Sequence, residues 1–446
     1  MKCLNFDIRH SLFDILRFKR VKLPMILSAS PTDSAPGQHR RHRFLVLLVV
    51  FFLVSSGTPL IAVQGEESRP LVGERDAAIL VDPRGQILFS RNVDTPLIPA
   101  STLKIFTALV ALHHLGPEYR FPTEFYIDDS SNLKIRGYGD PLLISEVVAE
   151  IAGKLRKSRD LEARVINDLI VDDSFFGHPL TIPGVSSSSE PYDAPNGALC
   201  VNFNTISFTR NEGGATISAE PQTPLLSYGL HRVKTSGTRT GRIVLSNSGN
   251  EATFYAGHLF RYFLEKNDIT IKGEIRTGTV EKEADQLIFS YVSGYTLKEV
   301  IARLLQYSNN FVANQLLVAT GAKVFGPPGT LTKGADAATA YARNLPGITT
   351  LRLVEGSGIS RDNRISARDM ARVLDRFVPY AHLLQKTGKE FYKTGTLRGV
   401  HTRAGYIEDD KGGLYRFVVF VNTPGKPVTG IMGKIREQVI SYDKMK

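Results

Sequence analysis

Cysteine is almost missing from this chain: of 446 residues two are Cys, with Cys3 in a basic leader and Cys200 alone in the later part. An exported chain with nothing to pair has no internal disulfide. Cys200, beside Val201 and Phe203, reads as a small buried hydrophobe. Metal patterns are missing too, since there is no H-E-x-x-H and no cysteine cluster. The pair His113-His114 lies in a run that reads as helix, where adjacent side chains point about 100° apart and cannot chelate from one face. No nucleic-acid motif and no fixed-period repeat is present. The apolar run Phe44 to Val54 is too short for a comfortable membrane span. It follows 43 residues holding nine Lys or Arg against three Asp, which is the pattern of a secretory leader, residues 1–62. Met25 is an alternative start, no clean A-x-A site follows, and retention as an uncleaved anchor is the alternative to cleavage. The residues after 43 carry +5 of the formal +11, so the basic balance is largely a targeting signal.

With 42% hydrophobic and 22% charged residues, the later chain is long enough for more than one core. Residues 76 to 98 read as a hairpin around Asp82-Pro83-Arg84-Gly85, followed by an apolar helix from Ile105 to Leu115 that stops at Gly116-Pro117. A strand-rich stretch with helices at Ser145 to Lys157 and Ala256 to Asn267 follows. Within it the serine run Ser186 to Ser189 reads as flexible linker. From Leu297 the pattern is helical, strands return after Lys393, and a last helix runs from about Gly430 to Ser441. This order predicts a catalytic domain made of 70–140 and 291–446, split by accessory domains at 141–290.

Three short motifs occur in one order: Ser101-Thr102-Leu103-Lys104, Ser308-Asn309-Asn310 and Lys393-Thr394-Gly395. Positions i and i+3 share a helix face, so the Lys104 amine reaches the Ser101 hydroxyl. A lysine takes a serine's proton once burial and a second cation lower its pKa, and Lys393 is the candidate for that cation. Decoys exist for each motif. Ser131-Asn132-Leu133-Lys134 follows Asp128-Asp129 in a polar turn, Ser248-Gly249-Asn250 has loop composition, and Lys386-Thr387-Gly388 reads as the solvated end of a helix capped by Gly388. The plain alternative for both Ser101 and Ser308 is a helix cap.

In these motifs residues 70 to 440 resemble the D-alanyl-D-alanine carboxypeptidase/endopeptidases of the low-molecular-weight class C penicillin-binding proteins, peptidase family S13. Supporting stretches are Gly137-Tyr138-Gly139-Asp140-Pro141, Val171-Asp172-Asp173-Ser174-Phe175, Tyr192-Asp193-Ala194-Pro195, Glu355-Gly356-Ser357-Gly358-Ile359-Ser360-Arg361 and Ala404-Gly405-Tyr406. The resemblance implies an α/β (α+β) fold of the penicillin-binding and serine β-lactamase-like kind, an antiparallel sheet flanked by helices. It implies Ser101 as nucleophile, Lys104 as base, and Ser308 as proton relay, with Asn310 on the substrate amide. Lys393 with Thr394 and Thr396 of the Lys393-Thr394-Gly395-Thr396 strand would hold the terminal carboxylate. The amides of Ser101 and Thr396 would form the oxyanion hole, and Asp140 would border a pocket for a substrate ammonium. It implies no cofactor and no metal, peptidoglycan peptides and β-lactams as ligands, and a periplasmic location. Two departures stand out: only about thirty residues separate Arg361 from Lys393, and the region Thr235 to Glu251 is short. A β-lactamase or esterase, and a wall-peptide-binding protein without turnover, are the alternative readings.

Overall fold

The computed structural model describes residues 70–158, 161, 165–245 and 249–444. The leader at 1–62, Met25 and Ser248 lie outside them. By contacts the chain divides into Met1–Pro70 and Leu71–Lys446, and the second unit is described here.

Its main sheet is antiparallel and joins two distant parts of the chain. Strands β1 (Asp76–Val81) and β2 (Ile87–Arg91) form the expected hairpin, and β11 (Gln385–Thr387), β12 (Glu390–Leu397), β13 (Val400–Glu408) and β14 (Leu414–Val421) complete the order β11-β12-β13-β14-β1-β2. Asp76 pairs with Val421 and Val81 with Arg416. β14 is apolar on both faces, as a strand must be when both sides are covered. On one side Ala78, Leu80, Phe417, Val419 and Val421 pack with Ile431, Met432 and Ile435 of the last helix, Thr429–Asp443. On the other lies the helix Ala367–Phe377, which in turn packs on α1, Lys104–Leu115.

α1 is buried from Lys104 to Leu112, which is why its sequence is apolar all round. It stops where Gly116, at φ 89, donates its amide to Leu112. Helices Leu297–Tyr307 and Asn310–Phe325 pack against it and meet at the Ser308-Asn309 joint.

A second sheet has the order β10-β3-β4-β5-β9, with β3 (Pro122–Ile127), β4 (Leu133–Gly137), β5 (Leu169–Asp172), β9 (Ile275–Thr277) and β10 (Gln286–Val292). Residues 122–137, grouped by sequence with the first catalytic segment 70–140, belong to this sheet because β3 pairs with β10 as well as with β4. The helix Gly249–Glu265 covers it, Phe260 meeting Phe125 at 5.7 Å between ring centroids. A third, three-stranded sheet of β6 (Thr205–Arg210), β7 (Thr216–Ser218) and β8 (Thr240–Val244), in the order β7-β6-β8, carries the helix Ser227–Thr235, which the residue pattern did not announce.

Candidate active site

Ser101 lies on a 3-10 turn, Ala100–Leu103, that runs into α1. Ala100 sits at φ 47, a left-handed conformation that a residue with a Cβ holds only under constraint. Two hydroxyls supply part of the constraint, since Thr102 Oγ1 (2.6 Å) and Thr402 Oγ1 (2.8 Å) both donate to the Pro99 carbonyl. Two glycines supply the rest. A Cβ on Gly358 would lie 2.0 Å from the Ala100 carbonyl, and one on Gly395 would lie 2.7 Å from the Ser101 nitrogen. The glycine of Lys393-Thr394-Gly395 therefore lets β12 pass against the backbone of Ser101. Neither the turn nor α1 takes a side-chain cap, so Ser101 is not the helix cap that the plain reading offered.

Lys104 opens α1 and is 0% exposed. Its Nζ lies 3.0 Å from Ser101 Oγ, 2.7 Å from Asn310 Oδ1 and 2.6 Å from the Ser357 carbonyl. A neutral amine has two N–H donors and one lone pair. Asn310 Oδ1 and the Ser357 carbonyl can only accept, so they take the two N–H and leave the lone pair facing the Ser101 O–H. Burial pushes the Lys104 ammonium well below its usual range; the Lys393 cation adds to the fall and the Glu355 carboxylate opposes it. Lys393, on β12, is 5% exposed and donates to the Thr394 carbonyl at 2.9 Å. Burial brings it down to about 8. Thr394 and Thr396 alternate with Lys393 and Gly395 along β12 and are exposed.

Ser308 closes the helix Leu297–Tyr307 in a left-handed conformation, φ 56. The cap of the following helix is Asn309, whose Oδ1 accepts from the Val312 amide at 3.1 Å, so Ser308 does not cap that helix. With Asn309 as cap, Asn310 becomes the first helical residue, and its side chain reaches Lys104.

The loop Glu355 to Asn363 supplies residues to which the sequence assigned no role. Gly356 is held from two sides: its amide donates to Asn314 Oδ1 at 2.7 Å and its carbonyl accepts from Thr107 Oγ1 at 2.6 Å. Thr107 lies three residues after Lys104 and Asn314 four after Asn310, so each shares a helix face with a catalytic candidate. Polar residues at that spacing inside apolar helices were the available signal.

Two sequence readings change at this point. Lys386 does not end a helix. It lies on β11, exposed, 3.3 Å from Glu408 Oε2, with Gly388 in the turn to β12 at φ 58. Lys386→Ala should leave acylation nearly unchanged, because exposed ion pairs contribute at most about 1 kcal/mol to stability. Lys393→Ala should cost at least about tenfold, since a charge-assisted contact to a substrate carboxylate is worth roughly 1.5 to 3 kcal/mol. Acylation rates of the two variants check this, and a reversed order would move the catalytic strand to β11. The serine run is not a linker: Ser186 and Ser188 both donate to the Asp193 carboxylate, and the Tyr192 carbonyl beside it is 3.5 Å from Asn310 Nδ2. Ser131 does sit in a polar turn, at φ 58.

Asp140 lies in the turn that follows β4. It is 3% exposed, and its Oδ1 accepts from the Leu142 amide at 2.9 Å. Its Oδ2 and the neighbouring Ser293 hydroxyl are buried without a properly aligned partner. Enclosed in this way, the carboxyl anchors its own turn through the Leu142 amide. Burial raises it from 3.8 to about 6, so its ionisation costs stability as pH climbs through that interval. Asp140→Asn should accordingly raise the melting temperature at pH 7 by the equivalent of about 1 to 3 kcal/mol. The gain should vanish below about pH 4. A gain that persists at low pH would exclude the ionisation as its cause.

Residues 68–385 match the family described as D-Ala-D-Ala carboxypeptidase 3 (S13). A D-alanyl-D-alanine carboxypeptidase of Actinomadura sp. (strain R39) is 26% identical over 450 aligned positions, covering 84% of this chain and 83% of that one. The crystal structure of penicillin binding protein 4 (dacB) from Haemophilus influenzae matches with a TM-score of 0.67 at 19% identity, covering 84% of this chain and 97% of that one. A β-lactam complex of the same protein matches with a TM-score of 0.63 at 18% identity over the same shares. The family match ends before Lys393, and it is the pairing of β12 with β13 and the approach of Gly395 to Ser101 that bring the third motif to the first two.

Proposed function

Because the chain belongs to the D-Ala-D-Ala carboxypeptidase 3 (S13) family, we propose that this serine-type D-Ala-D-Ala carboxypeptidase works through an acyl-enzyme on Ser101. One observation carries the reading: the Lys104 amine is held on Ser101 Oγ by two groups that can only accept. Lys104 takes the Ser101 proton as Oγ attacks the penultimate D-alanyl carbonyl. The C–N bond then breaks, and Ser308 relays a proton to the departing D-alanine amine. Water attacks the ester, Ser101 recovers its proton, and the shortened peptide leaves. The amides of Ser101 and Thr396 hold the oxyanion, a kind of contact worth about 3 kcal/mol each. Lys393, Thr394 and Thr396 hold the terminal carboxylate, and Asn310 the substrate amide. β-Lactams enter as substrate mimics, peptide crosslinks are a second substrate, and the leader at 1–62 directs the enzyme to the periplasm. Among the described residues no helix is long and apolar enough to cross a membrane.

The test pairs two assays on the purified protein: release of D-alanine from a peptide ending in D-Ala-D-Ala, and labelling by a fluorescent penicillin. D-Alanine release with stable labelling supports the proposal. Rapid loss of label points to a β-lactamase, and no labelling to a binding protein.

A further inference from the structure

Glu355 is 0% exposed, and no step of the proposed reaction uses it. Its two carboxylate oxygens gather one loop. Oε2 accepts from the Ser357 amide (2.7 Å) and hydroxyl (2.6 Å); Oε1 accepts from the amides of Gly358 (2.7 Å) and Ser360 (3.2 Å) and from Asn363 Nδ2 (2.6 Å). The contact to Gly358 has a directional consequence. In a trans peptide the N–H and the preceding C=O point opposite ways. Holding the Gly358 N–H on Glu355 therefore turns the Ser357 carbonyl away from it, to the point where it accepts from Lys104 Nζ at 2.6 Å. The carboxylate thus acts on the amine through one peptide group, which it also polarises.

We propose that Glu355 is a positioning residue for the general base: it aims the Ser357 carbonyl at one Lys104 N–H and faces the amine with a negative charge. The proposal rests on Lys104 being the base. Two charged groups face Lys104, Lys393 from β12 and Glu355 from the loop; the helices packed on α1, Leu297–Tyr307, Asn310–Phe325, Leu331–Arg343 and Ala367–Phe377, bring no further charge to it among the described residues. The two have opposite effects. Lys393 favours the neutral amine, and Glu355 favours the ammonium, so that the pair sets the pH at which Lys104 begins to act. A loop anchor alone would need the donors gathered and would be indifferent to the charge.

The experiment measures the second-order rate of acylation by a fluorescent penicillin across pH, with melting temperatures, for wild type, Glu355→Gln and Glu355→Asp. Glu355→Gln removes the charge and puts an NH2 where donors already point. Its plateau rate should fall by about tenfold, as misplacement of a catalytic group does. Its acid limb should move to lower pH by about one unit or more, the order expected for removing one charge that acts on a buried amine. Glu355→Asp keeps the charge and shortens the reach, so its plateau falls while its acid limb stays. Coincident acid limbs for wild type and Glu355→Gln would overturn the proposal. So would a wild-type plateau in Glu355→Asp, and this second outcome decides the matter if Glu355→Gln does not fold. A Lys104→Ala variant that acylates like wild type would instead remove the base on which the proposal rests, and that failure is recognisable by itself.

Discussion

Ser101→Ala should yield no covalent adduct with a fluorescent penicillin, while Ser131→Ala should label like wild type. Both serines stand three residues before a lysine, so spacing does not separate them. Their surroundings do. Ser101 Oγ lies 3.0 Å from a fully buried amine, whereas Ser131 sits in the turn between β3 and β4 and Lys134 pairs with Asp285 at 2.8 Å. The Lys134 amine is thus taken up by a carboxylate rather than held on a hydroxyl. Loss of a nucleophile from a catalytic group that acts as a unit costs roughly four to six orders of magnitude. The check is gel fluorescence after labelling, and an adduct retained in Ser101→Ala would sink the assignment.

Lys104→Ala should fold but acylate at least about a thousandfold more slowly, in the range of a lost general base. In the wild type the rate rises with pH as Lys104 gives up its proton, and burial with the Lys393 charge places that rise below the ordinary lysine range. Lys393 acts at the other end. It is cationic below about 8 and loses its charge above it, so kcat/KM for a substrate with a free carboxylate should fall as pH passes about 8. A bell-shaped profile in the wild type, with the acid limb absent in Lys104→Ala, is the expected pair of results. An unchanged limb in the variant would place the base elsewhere.

The nearness of Ser101, Lys104 and Asn310 was legible because each motif is short and local: three residues apart where a 3-10 turn runs into α1, or two across one joint. The hairpin β1–β2 and the strand β14 were legible from turn residues and a continuous apolar run. What escaped was set by contacts between segments. Lys386 precedes a turn glycine, as a helix end would, and only the pairing of Gln385 with Tyr392 makes it a strand. Asp140 stands in a glycine and proline turn whose composition suits a solvated loop, so its burial was not legible. The role of Ser357 was invisible because it acts through its carbonyl, which every residue has. Ser186 and Ser188 resemble linker residues until Asp193 is placed beside them.

The main sheet joins β1, near the start of the described chain, to β14, with Asp76 opposite Val421. Closing so long a loop is entropically expensive, and topologies of this kind fold slowly. During synthesis Ser101 and Lys104 leave the ribosome some three hundred residues before Lys393 does, since the chain is read from its N-terminus. The Lys393 cation that helps lower the Lys104 pKa acts on it only once β12 has docked. The third motif is thus the last of the three to be synthesised, and it reaches the first only through the pairing of β12 with β13 and of β14 with β1.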